Sequence, residues 1–261
     1  ETVSATTTDD DVAGFTIVES DGSTEVAESG TTDTFTIVLD AQPTSDVVMS
    51  VSSSDTAETT ATNTLTFTST NWDTPQTVTV TGVDDDIIDG TITSTITVAI
   101  IDANSDDDFD SVANETVSAT TTDDDVAGFT IVETDGSTEV DESGSTDTFT
   151  VVLDAQPASD VVLTIASDDT GEATVNSPLT FTPTDWDTPQ TVTVTGVDDD
   201  IIDGTITSTI TVAVDDANSD DDFDSVADET VSATTTDDDV AGFTIVESDG
   251  STEVDESGTT D

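Results

Sequence analysis

Apolar and polar residues alternate along much of this chain. Thr34 to Leu39 reads TFTIVL, Leu65 to Thr68 LTFT, Thr77 to Thr81 TVTVT and Thr91 to Thr97 TITSTIT. Val47 to Val51, Thr116 to Thr122 and Phe15 to Val18 add three further runs. A period of two, written in β-branched and aromatic residues against Thr, marks half-buried strands. Clusters of Asp, Gly, Pro and Ser separate the runs and mark turns. No stretch has a helical period. The inward positions are Phe35, Ile37, Leu39, Val47, Met49, Val51, Leu65, Phe67, Val78, Val80, Ile92, Ile96 and Val98.

The pattern repeats. ETVSATTTDDDVAGFTIVE begins at Glu1, at Glu115 and again at Glu229, a spacing of 114 residues. That is too long for a solenoid unit and suits one sandwich domain. The expected organisation is a last strand of a preceding repeat over 1–11, complete repeats over 12–125 and 126–239, and the start of a third over 240–261. Seven or so short strands per repeat predict an all-β chain of tandem immunoglobulin-like antiparallel β-sandwiches. The similarity of the copies points to recent duplication, so it does not by itself mark functional residues.

Composition changes the picture in one respect. The chain has 61 Asp and Glu, no Lys, Arg or His, and no Cys or Tyr, for a formal charge of −61. Without imidazole or thiolate, Ser-His-Asp chemistry, Cys nucleophiles and zinc sites are excluded, and no enzyme activity is expected. Without a cation to hold phosphate, nucleic acid and anionic membranes are excluded as partners. No apolar run approaches the roughly 18 residues of a membrane span, and nothing resembles a signal peptide. The missing initiator Met agrees with a mature product or a segment of a longer protein. Hydrophobic content of 32% with this charge is poor material for a core, and would read as disorder were the strand pattern absent.

The acids gather where the strands stop. They stand at Asp9, Asp10 and Asp11, at Asp84, Asp85, Asp86 and Asp89, at Asp106 to Asp108 with Asp110, and at Asp123, Asp124 and Asp125. Two like charges about 4 Å apart repel by about 1 kcal/mol in water and about 4 near a protein surface. With no internal cation, that repulsion must be met from solution. Ca²⁺, which takes six to eight oxygens, suits crowded acidic loops better than Mg²⁺. Acids that merely solvated the surface would decorate the strand faces, which carry Thr instead. Asp102, Asn104 and Asp106, with Asp216, Asn218 and Asp220, place oxygen side chains at positions 1, 3 and 5 of a loop, as calcium loops do. Position 6 is Asp107 rather than Gly and position 12 is Ala113 rather than Glu, so the loop is no EF-hand.

EVAESGTTDTFTIVLDAQP, LTFTSTNWDTPQTVTVTGVDDDIIDG and the closing TVSATTTDDD resemble the Calx-β domain. More closely, they resemble the Calx-β-like repeats found in tandem in very large secreted or surface bacterial proteins. The resemblance covers essentially the whole chain. It implies Ca²⁺ at one pole of the sandwich. The implied ligands are a first-strand Glu (Glu28, Glu142) and an Asp after the third strand (Asp55, Asp169). A middle loop adds Asp84, Asp85, Asp86 and Asp89, then Asp198, Asp199, Asp200 and Asp203. Terminal triplets add Asp9 to Asp11, Asp123 to Asp125, and Asp237, Asp238 and Asp239. The chain departs from the family's pattern at Ile92 and Ile206, where a further acid is usual.

Only Val126, Ala127 and Gly128 separate Asp125 from Phe129, so little room remains for free hinging and calcium there would clamp consecutive domains. The expectation is a calcium-stiffened spacer or filament shaft at the cell surface or outside the cell, extending an adhesin or building a fibre. Its partners would be adjacent repeats or identical subunits, with Ser and Thr as acceptors for O-glycans. A donor-strand-linked filament subunit is one alternative. A carbohydrate-binding module using Trp72 is another, although Trp72 and Trp186 read first as residues that anchor a turn to the core.

Overall fold

The computed structural model describes residues 2–6, 8, 10–247, 250 and 256. The chain divides into two compact units, Glu1–Ala127 with Asp154–Ala158, and Gly128–Leu153 with Ser159–Asp261. The first holds β1 (Phe15–Glu19), β2 (Thr24–Ala27), β3 (Thr32–Leu39), β4 (Val47–Ser53), β5 (Thr59–Ala61), β6 (Thr64–Phe67), β7 (Gln76–Gly82), β8 (Ile92–Ile100) and β9 (Glu115–Thr122). One sheet runs β1-β3-β7-β5 and the other β2-β9-β8-β4-β6. The second unit repeats this with β10 (Phe129–Glu133), β11 (Thr138–Asp141), β12 (Thr146–Leu153), β13 (Val161–Ser167), β14 (Ala173–Val175), β15 (Leu179–Phe181), β16 (Gln190–Gly196), β17 (Ile206–Val214) and β18 (Glu229–Thr236). The protein is all-β, as the alternation predicts.

Each strand drives its apolar row inward. Phe35, Ile37, Val78, Val80, Val47, Met49, Phe67, Ile96 and Val98 are fully buried, while the intervening Thr and Ser positions stay partly or wholly exposed. Ile92 is only half-buried, because β8 reaches the end of the sandwich there. The alternation misses two strands, β2 and β5. Both are short edge strands whose inward positions include Thr24 and Thr59, buried threonines that sequence hydropathy does not mark.

Every strand pair is antiparallel except β2 with β9 and β11 with β18, which are parallel. After β1 the chain turns and crosses to the opposite sheet as β2, then returns as β3 to pair with β1. In that opposite sheet β2 runs alongside β9 in the same direction, Thr24 against Ala119 through Ala27 against Thr122. This crossing closes one pole. The end of β7 presses against the end of β2 so tightly that a Cβ on Gly82 would collide with the Ala27 carbonyl oxygen. Gly196 meets the Asp141 carbonyl in the same way. Gly82→Ala with Gly196→Ala is therefore expected to cost about 1–3 kcal/mol per domain through forced displacement of backbone, measured by denaturant unfolding.

No described residue of 2–14 or 240–247 lies in a strand. The described residues of the stretches expected to be a preceding last strand and the opening of a third repeat therefore stand outside the sheets. By the 114-residue offset, Phe243 matches Phe129, whose pairing partner is Leu153. Phe243 is 88% exposed, whereas Phe129 is buried.

Candidate metal centre

The turns at the pole where β2 meets β7 gather acids from four places in the sequence. Glu28 follows β2, Glu58 precedes β5, Asp89 lies between β7 and β8, and Asp123 and Asp125 follow β9. Carboxylate oxygens of Glu28, Glu58 and Asp89 all lie within 4.8 Å of one another, as do those of Glu28, Asp123 and Asp125. The second unit matches, with Glu142, Glu172 and Asp203, and with Glu142, Asp237 and Asp239.

Backbone hydrogen bonds hold this framework. The Glu28 amide donates to the Thr122 carbonyl (3.1 Å), which continues the β2–β9 ladder by one residue. The Val83 amide donates to the Glu58 carbonyl (2.9 Å) and so fixes the start of β5. Asp123 organises the loops: Oδ2 accepts from the amides of Asp89 (3.1 Å) and Gly90 (2.8 Å), and Oδ1 from that of Asp125 (2.7 Å). Asp237 repeats part of this, accepting from Gly204 (2.8 Å) and Asp239 (2.7 Å), and these N–H groups hold its carboxyl below the usual range.

Glu28 has no such support. It is 1% exposed, and neither of its carboxylate oxygens has a hydrogen-bond partner. Oε2 of Glu58, Glu142 and Glu172, and Oδ2 of Asp239, are also buried without partners. A buried carboxylate lacking both partner and counter-charge is costly, and carboxyls so placed shift toward the neutral form. Burial, then Asp123, Asp89, Asp85 and Glu58, raise the Glu28 pKa to about 7. Burial first, then neighbouring carboxylates, also raises Glu58, Asp89 and Asp125. Glu142, Glu172 and Asp239 shift the same way for the same reasons. A hard cation would supply the missing partner, and an all-oxygen donor set fits Ca²⁺.

These shifts fix a pH dependence. A carboxyl whose folded pKa is raised stabilises the fold while protonated, and that stability is lost as pH rises through the folded value. In chelator, the melting midpoint is therefore expected to fall as pH rises from about 4.5 to about 7, the window over which Glu28 ionises. In saturating calcium the slope reverses, because the ion needs the ionised ligands. Melting curves at pH 4.5, 6 and 7.5 in both conditions check both signs.

The residues singled out from the sequence separate into two groups. Glu28, Asp89, Asp123 and Asp125 converge at the pole, with Glu142, Asp203, Asp237 and Asp239 in the second unit. Asp85 lies close enough to raise Glu28 and Asp89, and Asp86 to raise Asp125, but neither joins a triad. Asp55 and Asp169 are exposed and cap their own turns, accepting from the amides of Ala57 and Gly171 (3.0 Å each). Asp84, Asp124, Asp198, Asp200 and Asp238 are exposed; Asp199, half-buried, accepts from the Ile201 amide (2.6 Å). Asp10 and Asp11 are exposed and belong to neither cluster; Asp9 lies outside the described residues.

The 102–106 loop departs from expectation. It lies at the opposite end of the sandwich, where β8 leaves and β4 begins, and none of its acids joins a triad among the described residues. Asp102 and Asn104 form an exposed 3-10 turn, as do Asp216 and Asn218. Asp106 is 4% exposed with its oxygens fully engaged. Oδ2 accepts from the Thr44 amide (2.6 Å), the Thr44 hydroxyl (2.8 Å) and the Ser45 amide (2.8 Å), and Oδ1 from the Asp108 amide (3.2 Å). Those donors, the Thr44 hydroxyl first, hold its pKa down at about 2. Asp220 likewise accepts from Ser159 and Asp222. The segment is a structural clasp, and just beyond it Phe109 and Phe223 enter the core.

Glu58 and Glu172 escape the sequence reading, because each is a lone acid outside any acidic run. A signal was present: Asp55 and Glu58 recur as Asp169 and Glu172 in a stretch where the two copies otherwise differ at many positions. Trp72 packs against the core, and its carbonyl accepts from the Leu39 amide (3.1 Å), as expected of a turn anchor.

No protein-family model and no curated protein sequence matches the chain. Among solved structures, it is similar to CBD12 from CALX1.2, at 15% identity and TM-score 0.32, covering 76% of this chain and 79% of that one. It is similar to the apo-form Calx CBD1 domain, at 15% identity and TM-score 0.31, covering 42% and 98%. It is also similar to domains 4 and 5 of the S-layer protein SbsC, at 19% identity and TM-score 0.34, covering 72% and 76%.

Proposed function

We propose that this chain is a segment of calcium-binding β-sandwich repeats with a structural role outside the cell, as a stiff spacer or filament shaft. The observation that carries the reading is Glu28. It is a carboxylate shielded from solvent, ringed by four others and left without a hydrogen-bond partner, in a chain that has no cation of its own. Glu142 stands in the same place in the second copy, so the site repeats with the fold.

An extracellular setting, where calcium is abundant, is part of this proposal. Extracellular calcium modules bind at about 10⁻⁴ to 10⁻³ M, and such sites fill only where calcium is millimolar. Repetition without any imidazole, thiol or cationic side chain suits a mechanical element better than a catalyst. Its neighbours would be further repeats or identical subunits.

Titration of the purified chain with CaCl₂ by calorimetry, together with small-angle scattering in calcium and in chelator, tests this. Binding in both domains with a maximum dimension that grows or sharpens on calcium addition supports a stiffened shaft. Calcium binding with scattering unchanged would remove stiffening from the role, and no binding would remove the role altogether.

A further inference from the structure

We infer that the parallel pairing of β2 with β9, and of β11 with β18, is a load-bearing clamp: tension along the chain loads it in shear, so each domain resists being pulled open. Its use in a shaft rests on the function proposed above, while the mechanical property itself needs no bound ion.

The load path follows from the directions of the strands. A tight turn, closed by the Gly30 amide on the Ala27 carbonyl (3.2 Å), joins β2 to β3, so β2 ends and β3 begins at the acidic pole. β1 lies antiparallel to β3, with Phe15 opposite Leu39 and Glu19 opposite Phe35. It therefore starts at the far end of the sandwich and points toward the pole. β9, parallel to β2, ends at the pole with Thr122 beside Ala27. The chain thus enters the domain at one end and leaves it at the other, and the second copy repeats these pairings. Tension draws β2 back toward the entry and β9 out past the pole.

Two strands driven along their length in opposite directions must break their pairing as a unit. Four pairs, Thr24 with Ala119 through Ala27 with Thr122, share the load, and the Glu28 amide on the Thr122 carbonyl (3.1 Å) adds a further bond. The same pairs drawn apart sideways open one after another. β1 stands ahead of β2 on the path, and its pairing with β3 is loaded along the same axis.

An edge strand of four residues would open readily by local unfolding if nothing else held it. β2 is held on both sides. Its amides that face away from β9 are taken by side chains: Glu25 donates to Asp33 Oδ2 (2.9 Å) and Ala27 to Thr31 Oγ1 (2.6 Å). The Thr122 hydroxyl donates back across the ladder to the Val26 carbonyl (3.4 Å). Thr24 and Val26 are buried, and the Gly82 backbone packs so close to the Ala27 carbonyl that no Cβ fits between them. In β11, Glu139 donates to Asp147 Oδ2 (2.8 Å) and Asp141 to Ser145 Oγ (2.7 Å), and the Thr236 hydroxyl donates to the Val140 carbonyl (3.4 Å).

The test pulls the first domain of the full chain in two directions with optical tweezers. The chain has no Cys, so paired substitutions place the handles unambiguously. Val12→Cys with Val126→Cys, at positions 78% and 75% exposed, loads the domain from entry to exit. Ser23→Cys with Ser118→Cys, both exposed and next to the Thr24–Ala119 pair, draws β2 sideways from β9. Forced unfolding reads the barrier along the pulled direction. With four pairs sharing the load instead of one, the end-to-end unfolding force is expected to be at least about threefold the sideways force, in calcium and in chelator alike. Equal forces in the two directions, or a lower force end to end, overturn the inference. A difference present in calcium alone assigns the load to the ion and overturns it too. Failure of calcium to bind in calorimetry overturns the proposed function and leaves the clamp standing.

Discussion

Glu28→Gln, made together with Glu142→Gln, should raise the melting midpoint in excess chelator at pH 7.5 and lower it in millimolar calcium. The two signs share one cause. Without a cation, Glu28 is a buried carboxylate with two oxygens lacking partners, surrounded by Glu58, Asp89, Asp123 and Asp125. An unsatisfied buried polar group costs about 1–3 kcal/mol, and more when charged. Gln has the same shape, no charge and an amide that can donate to the neighbouring carboxylates. With calcium present, the shared ligand is lost. An ion at 10 to 100 times its Kd contributes about 1.4 to 2.7 kcal/mol. At about 4 °C per kcal/mol for domains of this size, losing two ions lowers the midpoint by about 10–20 °C. Thermal unfolding of parent and variant in the two buffers shows whether the curves cross. A variant that melts lower in both, or unchanged in both, would remove Glu28 from the metal centre.

Asp106→Ala with Asp220→Ala has a similarly large expected effect, but with no calcium dependence. Asp106 accepts four hydrogen bonds from Thr44, Ser45 and Asp108 and is almost fully buried. Bonds to an ionised acceptor contribute about 1.5–3 kcal/mol each when measured singly, and removing the acceptor strands several amides at once. A loss of about 3–5 kcal/mol per domain is expected, equal in calcium and in chelator. The stabilisation from Asp106 is present above its unfolded pKa of 3.8 and is lost as pH falls through about 2. Were the loop a calcium site, the substitution would act in calcium only.

These two substitutions separate acids that look alike in the sequence. The strands are legible because inward Phe, Ile and Val alternate with outward Thr, and burial follows that alternation at Phe35, Ile37, Val78 and Val80. The two edge strands are not, because Thr24 and Thr59 are buried by topology rather than by hydropathy. The acidic runs locate the loops, and the resemblance names the pole. Neither shows which oxygens are already occupied. Asp106 reads as a ligand by its 1-3-5 spacing, yet backbone amides some sixty residues earlier in the chain reach it first. Glu58 reads as nothing, yet the turn before β5 brings it against Glu28 and Asp89. In both cases contacts between residues far apart in sequence decide the role, and a local pattern does not carry them.

The most direct test is thermal unfolding of the full chain by far-ultraviolet circular dichroism at pH 7.5 and fixed moderate NaCl. It compares excess chelator, millimolar calcium and millimolar magnesium. A calcium-specific rise in the midpoint of about 10 °C or more, not reproduced by magnesium, is the predicted result. Equal midpoints in chelator and calcium would contradict a metal centre at Glu28 and leave the acids as a solvated surface.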